Sequence, residues 1–248
     1  MKLANLALAS VAMLATACNA EKNDSATGEA TVAAVKPVTP PADGDWTKVV
    51  TETPQGGFMM GNPNAKVHLV EFGSLTCPHC AAFETEGVPA LLANYVKPGK
   101  VTYEFRNYVR DPYDIAASLI TRCNGAKSFF TLTEQMYKDQ PNWIAKLQQV
   151  PEADQRSLET MSPDKEFITI AKWAGFPQWA AMRGIPAAKS TQCLTDQTQI
   201  DRLVQINSDA TDQYNIPGTP TFLINGKVVD KAATWETLEP NLKSAVGG

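Results

Sequence analysis

Histidine is scarce: His68 and His79 are the only two in 248 residues. A mixed Cys/His metal centre therefore has few ligands to draw on, and Cys123 and Cys193 lack the paired spacing of a zinc finger. No metal and no cofactor is expected. The chain has no glycine-rich nucleotide loop, hydrolase triad, flavin motif or internal repeat. Its net charge of −4 gives no basic surface for a nucleic-acid partner. The apolar stretch from Leu3 to Thr16 is too short for a standard membrane span. Charged residues at 19% and hydrophobic ones at 44% describe a globular chain rather than a disordered one, and its length can bury a sizeable core.

Met1-Lys2 followed by that apolar stretch reads as a secretory signal over residues 1–17. It ends at Ala15-Thr16-Ala17-Cys18, which resembles the lipobox of bacterial lipoproteins, with Ala15 where that motif usually has leucine. Lipidation of Cys18 is one reading, and ordinary cleavage after Ala17 or Ala20 is the other. Either exports the chain into an oxidising compartment. A lipid anchor would be its one tie to a membrane, and Asn19 after Cys18 leans toward the outer rather than the inner one. Residues 18–45, rich in Ala, Thr, Pro, Glu and Asp without apolar periodicity, read as a disordered tether.

From Trp46 the pattern turns globular. Phe58–Met60 suggests a short strand, Gly61-Asn62-Pro63-Asn64 a turn, and Val67–Phe72 a strand covered on both faces. Val88, Leu91, Leu92 and Tyr95 fall at helical spacing before Pro98-Gly99, and Val101–Phe105 reads as the next strand. Residues 112–213 then read as helices with no strand between them. Gly125 looks like a helix C-cap, and Ser162-Pro163 like an N-cap with proline at the first helical position. A helix from about Asp196 to Tyr214 carries Ile200, Leu203 and Val204 on one face. Asn225-Gly226 joins Thr221–Ile224 to Lys227–Val229 as a hairpin with a type I′ turn, and Trp235–Val246 forms a last helix. Cys123 and Cys193 both fall in the helical block. A structural disulfide is the economical reading, with two unpaired buried cysteines as the alternative.

The most informative residues are Cys77-Pro78-His79-Cys80, between the Val67–Phe72 strand and a helix. A thiolate, not a thiol, attacks disulfides, so such a site must hold Cys77 as an anion near neutral pH. The first turn of a helix aims unpaired N–H groups and the positive dipole end at its sulfur. Pro78 suits the first helical position because its missing N–H has no partner to lose. His79 is expected to direct a hydrogen bond or a positive charge at the thiolate. Cys80, one turn deeper, would resolve mixed disulfides. Far downstream, at Gly218-Thr219-Pro220-Thr221-Phe222, a proline opens a strand.

Taken together, Leu69 to Cys80, the lead-in from Gly57 to Ala65 and the return from Ile216 to Phe222 resemble the DsbA family of thiol–disulfide oxidoreductases, whose motif is CPHC. The resemblance covers about residues 55–248. It implies an α/β fold of thioredoxin type with an inserted all-helical domain: thioredoxin-like parts at 46–111 and 214–248, the insertion at 112–213. It implies that Pro220 is cis and faces Cys77, leaving the backbone of Thr219 free to pair with a substrate chain, against the plainer reading of a proline merely opening a strand. It implies that Glu71, six residues before Cys77, shuttles a proton for Cys80, where the plainer reading is a strand-end glutamate turned to water. The implied activity is donation of the Cys77–Cys80 disulfide to reduced, unfolded exported proteins in the periplasm. The enzyme would act as a monomer and be reoxidised by a membrane quinone-coupled partner. Thr219 departs from the valine of the best-studied members and also occurs in isomerases, so a reductase or isomerase using the same residues stays open. A peptide-binding chaperone with an incidental CxxC is a third reading.

Overall fold

A computed structural model describes residues 39–247. The expected signal segment 1–17, Cys18 and most of the 18–45 tether lie outside the described residues. Two short elements, β1 (Val50–Glu52) and β2 (Phe58–Gly61), lead into β3 (Val67–Gly73). After the CxxC come α1 (Pro78–Glu86) and α2 (Val88–Leu91), a π-helical turn at Leu92–Val96, and β4 (Val101–Asn107). Eight helices follow without an intervening strand: α3 (Pro112–Arg122), α4 (Ala126–Lys138), α5 (Gln140–Gln148), α6 (Glu152–Ser157), α7 (Pro163–Ala174), α8 (Phe176–Ala181), α9 (Ala187–Leu194) and α10 (Gln197–Tyr214). The chain returns through β5 (Thr221–Ile224) and β6 (Lys227–Val228) and ends in α11 (Trp235–Val246).

The sheet runs β1-β2-β4-β3-β5-β6, with β3 and β4 parallel and the other neighbours antiparallel. The β3–α1–β4 crossover is the predicted βαβ unit, and β3 sits at its centre. Because side chains alternate across a strand, Val67, Leu69 and Glu71 face one layer while Val70 and Phe72 face the other. The first layer is the large core, which also takes in Phe83, Phe129, Trp143 and Phe176. The second is a smaller cluster in which Ile206 and Ala210 of α10 cover Val70, Phe72 and Leu223. So α10, read from sequence with the helical block 112–213, packs on the sheet. This is the thioredoxin fold with a helical insertion.

Several local readings change. The helix after the CxxC is broken at Gly87, because Val88-Pro89 restarts it and Pro89 has no N–H to give to a continuous helix. Gly125 is not a C-cap but the N-cap of α4, at φ 65°. On α10 the buried face is Ile200, Leu203, Ile206 and Ala210, while Val204 is 55% exposed. A helix covering one narrow sheet face needs only that stripe. The hairpin turn has positive φ at both Asn225 (50°) and Gly226 (78°), as a type I′ turn requires.

Cys123 and Cys193 are joined in a disulfide that ties the end of α3 to α9. It closes a loop of sequence separation 70, which removes much of the unfolded chain's freedom. Replacing both cysteines with alanine is expected to lower stability by about 2–4 kcal/mol, read as a lower denaturant midpoint with a steeper slope, because the unfolded chain without the cross-link exposes more surface. His68, on β3, pairs its Nε2 with Glu104 Oε2 at 3.0 Å. Burial opposes the charge on Glu104, yet bonds from His68, Arg106 and Thr53 hold its carboxyl down at about 2.

Candidate active site

Cys77 is the N-cap residue of α1, in extended conformation, with Pro78 at the first helical position. Its side chain is 2% exposed and that of Cys80 is 0% exposed; both are free thiols. The Thr219–Pro220 peptide bond is cis, and Cys77 Sγ lies 3.2 Å from the carbonyl oxygen of Thr219. Residues 142 apart in sequence thus meet at one sulfur.

The two thiols are pushed in opposite directions. Cys77 is drawn down from about 9 to about 5, chiefly by a hydrogen bond from the Cys80 thiol, with Thr219 and the backbone N–H groups of Cys80 and His79 adding to it against the opposing effect of burial. These N–H groups are the unpaired donors of the helix start. Cys80 is pushed well above its ordinary value, first by burial and then by its bond to Cys77. His79 and Pro78 are exposed. The donor that His79 supplies to Cys77 is its backbone N–H, where the imidazole was expected.

Glu71 is 1% exposed, not turned to water. On β3 it lies opposite Phe105 and Phe222 of the neighbouring strands. The Tyr103 hydroxyl donates to its Oε2 at 2.6 Å. Burial nevertheless raises its carboxyl to about 8, with Glu84 and Cys77 contributing like charge. Gly73 completes this corner: a Cβ there would come within 2.5 Å of the Phe105 ring and 3.0 Å of Glu71 Oε1.

Sequence reasoning missed the group that holds the loop in front of Cys77. Asp114 of α3 is fully buried and accepts from Ser74 Oγ at 2.6 Å, the Leu75 N–H at 2.9 Å and the Arg110 N–H at 3.1 Å. Burial raises its carboxyl to about 7. The Tyr137 hydroxyl of α4 donates to the Ser74 carbonyl, and Arg110 Nη2 donates to the Thr76 carbonyl. The Gln140 amide of α5 donates to the carbonyls of Leu75 at 2.7 Å and Cys77 at 3.1 Å. The helical insertion therefore fixes the segment that presents the sulfur. Asp111-Pro112 at the start of α3 was a readable cap signal; nothing in the sequence pointed to Gln140. Gln140→Leu would leave the buried Leu75 carbonyl without a donor and the Cys77 carbonyl with the Ala81 N–H alone, at a cost of about 1–3 kcal/mol. It is expected to shift the Cys77 titration, read by thiolate ultraviolet absorbance, along with the unfolding midpoint.

A buried dithiol with Cys77 at a helix N-terminus, set against a cis-proline loop on a sheet of this order, defines a thioredoxin-fold dithiol protein. The profile of the family described as Thioredoxin matches residues 53–244, and the chain belongs to that family. The crystal structure of a protein-disulfide isomerase from Novosphingobium aromaticivorans superposes with a TM-score of 0.74 at 35% identity, covering 77% of this chain and 97% of that one. That of Wolbachia pipientis α-DsbA1 superposes at 0.62 and 20% identity, covering 79% and 94%, which speaks to fold. Disulfide bond formation protein D of Bacillus subtilis is 24% identical, over 76% of this chain and 78% of its own length. Relatives in Rickettsia bellii and Rickettsia prowazekii, both 26% identical, are longer: the chain spans 61% and 66% of their lengths.

Proposed function

We propose that the protein is an exported, periplasmic thiol oxidase that donates the Cys77–Cys80 disulfide to folding proteins. The observation that carries this is the placement of Cys77 at the N-terminus of α1 against the cis Thr219–Pro220 loop, where the Cys80 thiol and the helix-start N–H groups draw its thiol down to about 5. A group that stabilises the thiolate stabilises the reduced enzyme, and so makes its disulfide the stronger oxidant.

A substrate thiolate attacks Cys77 Sγ, forming a substrate–Cys77 disulfide and breaking the Cys77–Cys80 bond. Cys80 leaves as a thiolate in a site that disfavours its charge, and neutral Glu71 supplies the proton. A second substrate thiolate then attacks the substrate sulfur, and Cys77 departs as its favoured anion. Two electrons pass from the substrate dithiol to the enzyme. A membrane quinone-coupled partner would remove them, and the enzyme would act as a monomer, with a lipid on Cys18 as its one tie to a membrane, the outer rather than the inner one. During the mixed-disulfide stage the substrate backbone pairs beside Thr219 and Pro220, where proline offers no competing N–H.

The same residues run backwards in a reductase or isomerase. Thr219, and the isomerase named for the 35% identical structure, favour that second reading. The equilibrium reduction potential of Cys77–Cys80 against glutathione buffers decides between them. A value toward about −120 mV, the mark set by DsbA itself, supports the oxidase, and one near about −270 mV overturns it in favour of a reductase.

A further inference from the structure

A second cavity, of about 210 Å³, opens at the C-terminal end of α3, away from the dithiol. Arg122 ends α3 there, Gly125 starts α4, Lys189 comes from α9, Gln199 from α10 and Glu52 from β1. The Cys123–Cys193 disulfide lies in the same wall and ties α3 to α9. Arg122 is the unusual member, because its side chain is only 1% exposed. Its Nε donates to Gln199 Oε1 at 2.9 Å, and its Nη1 donates to the Gly56 carbonyl at 3.0 Å and to Asn107 Oδ1 at 3.1 Å. Nη2 has no hydrogen-bond partner. Its ion-pair partner Glu52 stands 3.6 Å away, beyond hydrogen-bond reach, on a side chain 44% exposed. A buried donor left unpaired is costly, and more so when it carries charge. Burial draws the guanidinium down to about 10, with Glu52 opposing and Arg202 adding like charge.

Other groups at the cavity ask for the same kind of occupant. The 13-residue helix α4 begins at Gly125, which has no side chain to cap it, so its first N–H groups and positive dipole end are left open at this wall. Lys189 is exposed and has no ion-pair partner among the described residues. The acids do not cancel this. Asp196, also in the wall, serves as the N-cap of α10 and accepts the Gln199 N–H at 3.3 Å. Glu52 is then the counter-charge that can swing out to solvent. We propose that the cavity is a binding site for a small oxyanion of the phosphate or sulfate kind, which takes the Arg122 Nη2 donor in place of Glu52. The site stands apart from the reading of Cys77 and Cys80. The β1–β2 turn at Gly56, the end of β4 at Asn107 and α10 at Gln199 all bond to this one guanidinium. An ion that completes its bonding therefore stabilises the junction between the sheet and the helical insertion by mass action.

The test titrates the oxidised protein with sodium phosphate, with sodium chloride at matched ionic strength as the control. Nuclear magnetic resonance follows the Arg122 side-chain Nε–H and the backbone N–H groups of Ala126 and Lys127. Phosphate is expected to move these signals along a saturating curve in the millimolar range, where chloride produces only a shallow drift. Glu52→Gln removes the competing carboxylate and is expected to tighten phosphate roughly two- to fivefold, the ordinary worth of an exposed ion pair. Lys189→Gln removes a cation from the wall and is expected to weaken it by a similar factor. Both substitutions fall on exposed side chains, so the fold survives them, and the three other bonds of Arg122 stay in place. A drift of equal slope in phosphate and chloride overturns the proposal. Saturation with one midpoint in all three proteins overturns it as well, because the ion would then be bound elsewhere.

Discussion

Cys77→Ser is expected to reduce disulfide exchange to background, whereas Cys80→Ser accumulates a stable mixed disulfide between Cys77 and substrate. Of Cys77 and Cys80, only Cys77 combines a depressed thiol, at about 5, with a neighbour on the substrate side, the Thr219 carbonyl at 3.2 Å. At pH 7 that thiol is almost entirely thiolate, against about one part in a hundred for a thiol at 9. Without Cys80 the first attack still occurs when the substrate is itself a disulfide, but nothing inside the enzyme can resolve the product. Mass spectrometry after acid quenching separates the two variants. The same thiolate ties stability to pH. Its folded value lies below the unfolded one, so its contribution to the reduced fold is complete above about pH 9, shrinks as pH falls, and is gone below about 5. Near pH 7 part of it remains. The disulfide form has no such group. The stability gap between reduced and oxidised protein is therefore expected to shift in favour of the oxidised form on acidification across that window, as compared by denaturant unfolding of each state.

Parts of this site were legible because their causes are local. A CxxC at a strand-to-helix junction carries its own chemistry, since the helix start supplies the donors wherever it sits. Asn225-Gly226 announced its turn because both positions need positive φ. Glu71 stood out as an acid in an apolar strand. The clamp on the Cys77 loop was not legible. Gln140 reaches Leu75 across 65 residues and Asp114 reaches Ser74 across 40, and a single glutamine on a helix has no spacing that marks it. Tyr103 likewise resembled any aromatic in a strand until its hydroxyl was seen against Glu71. Val204 was assigned to the wrong side of α10 because periodicity alone does not say how narrow the buried stripe is.

Glu71→Gln is expected to stabilise the protein and slow it, and the two effects share one cause. Glu71 is 1% exposed and its carboxyl is raised to about 8, mainly by burial. Its folded value exceeds the unfolded one near 4.5, so the fold favours the neutral acid. The stability associated with that neutral form is complete below about pH 4.5 and is lost progressively up to about 8. Glutamine has no proton to lose and keeps a carbonyl oxygen for the Tyr103 hydroxyl. The variant should therefore pull ahead of the unsubstituted protein across this window, by about 3 kcal/mol at pH 7 and about 5 kcal/mol above pH 8. The kinetic effect has the opposite sign. Cys80 is the thiol whose charge the site resists, and a neutral carboxyl at about 8 can give it a proton at pH 7 and recover one from it afterwards. An amide can do neither. Turnover is expected to fall roughly a hundredfold, at the low end for loss of a general acid–base group, and the inflection near pH 8 in the rate profile should disappear. Tyr103→Phe is the companion variant: it keeps the carboxyl and removes a bond that lowers it, so the inflection should move upward instead of vanishing. A Glu71 that served only packing would change the unfolding midpoint and leave the profile where it was, and that outcome would remove the proton role.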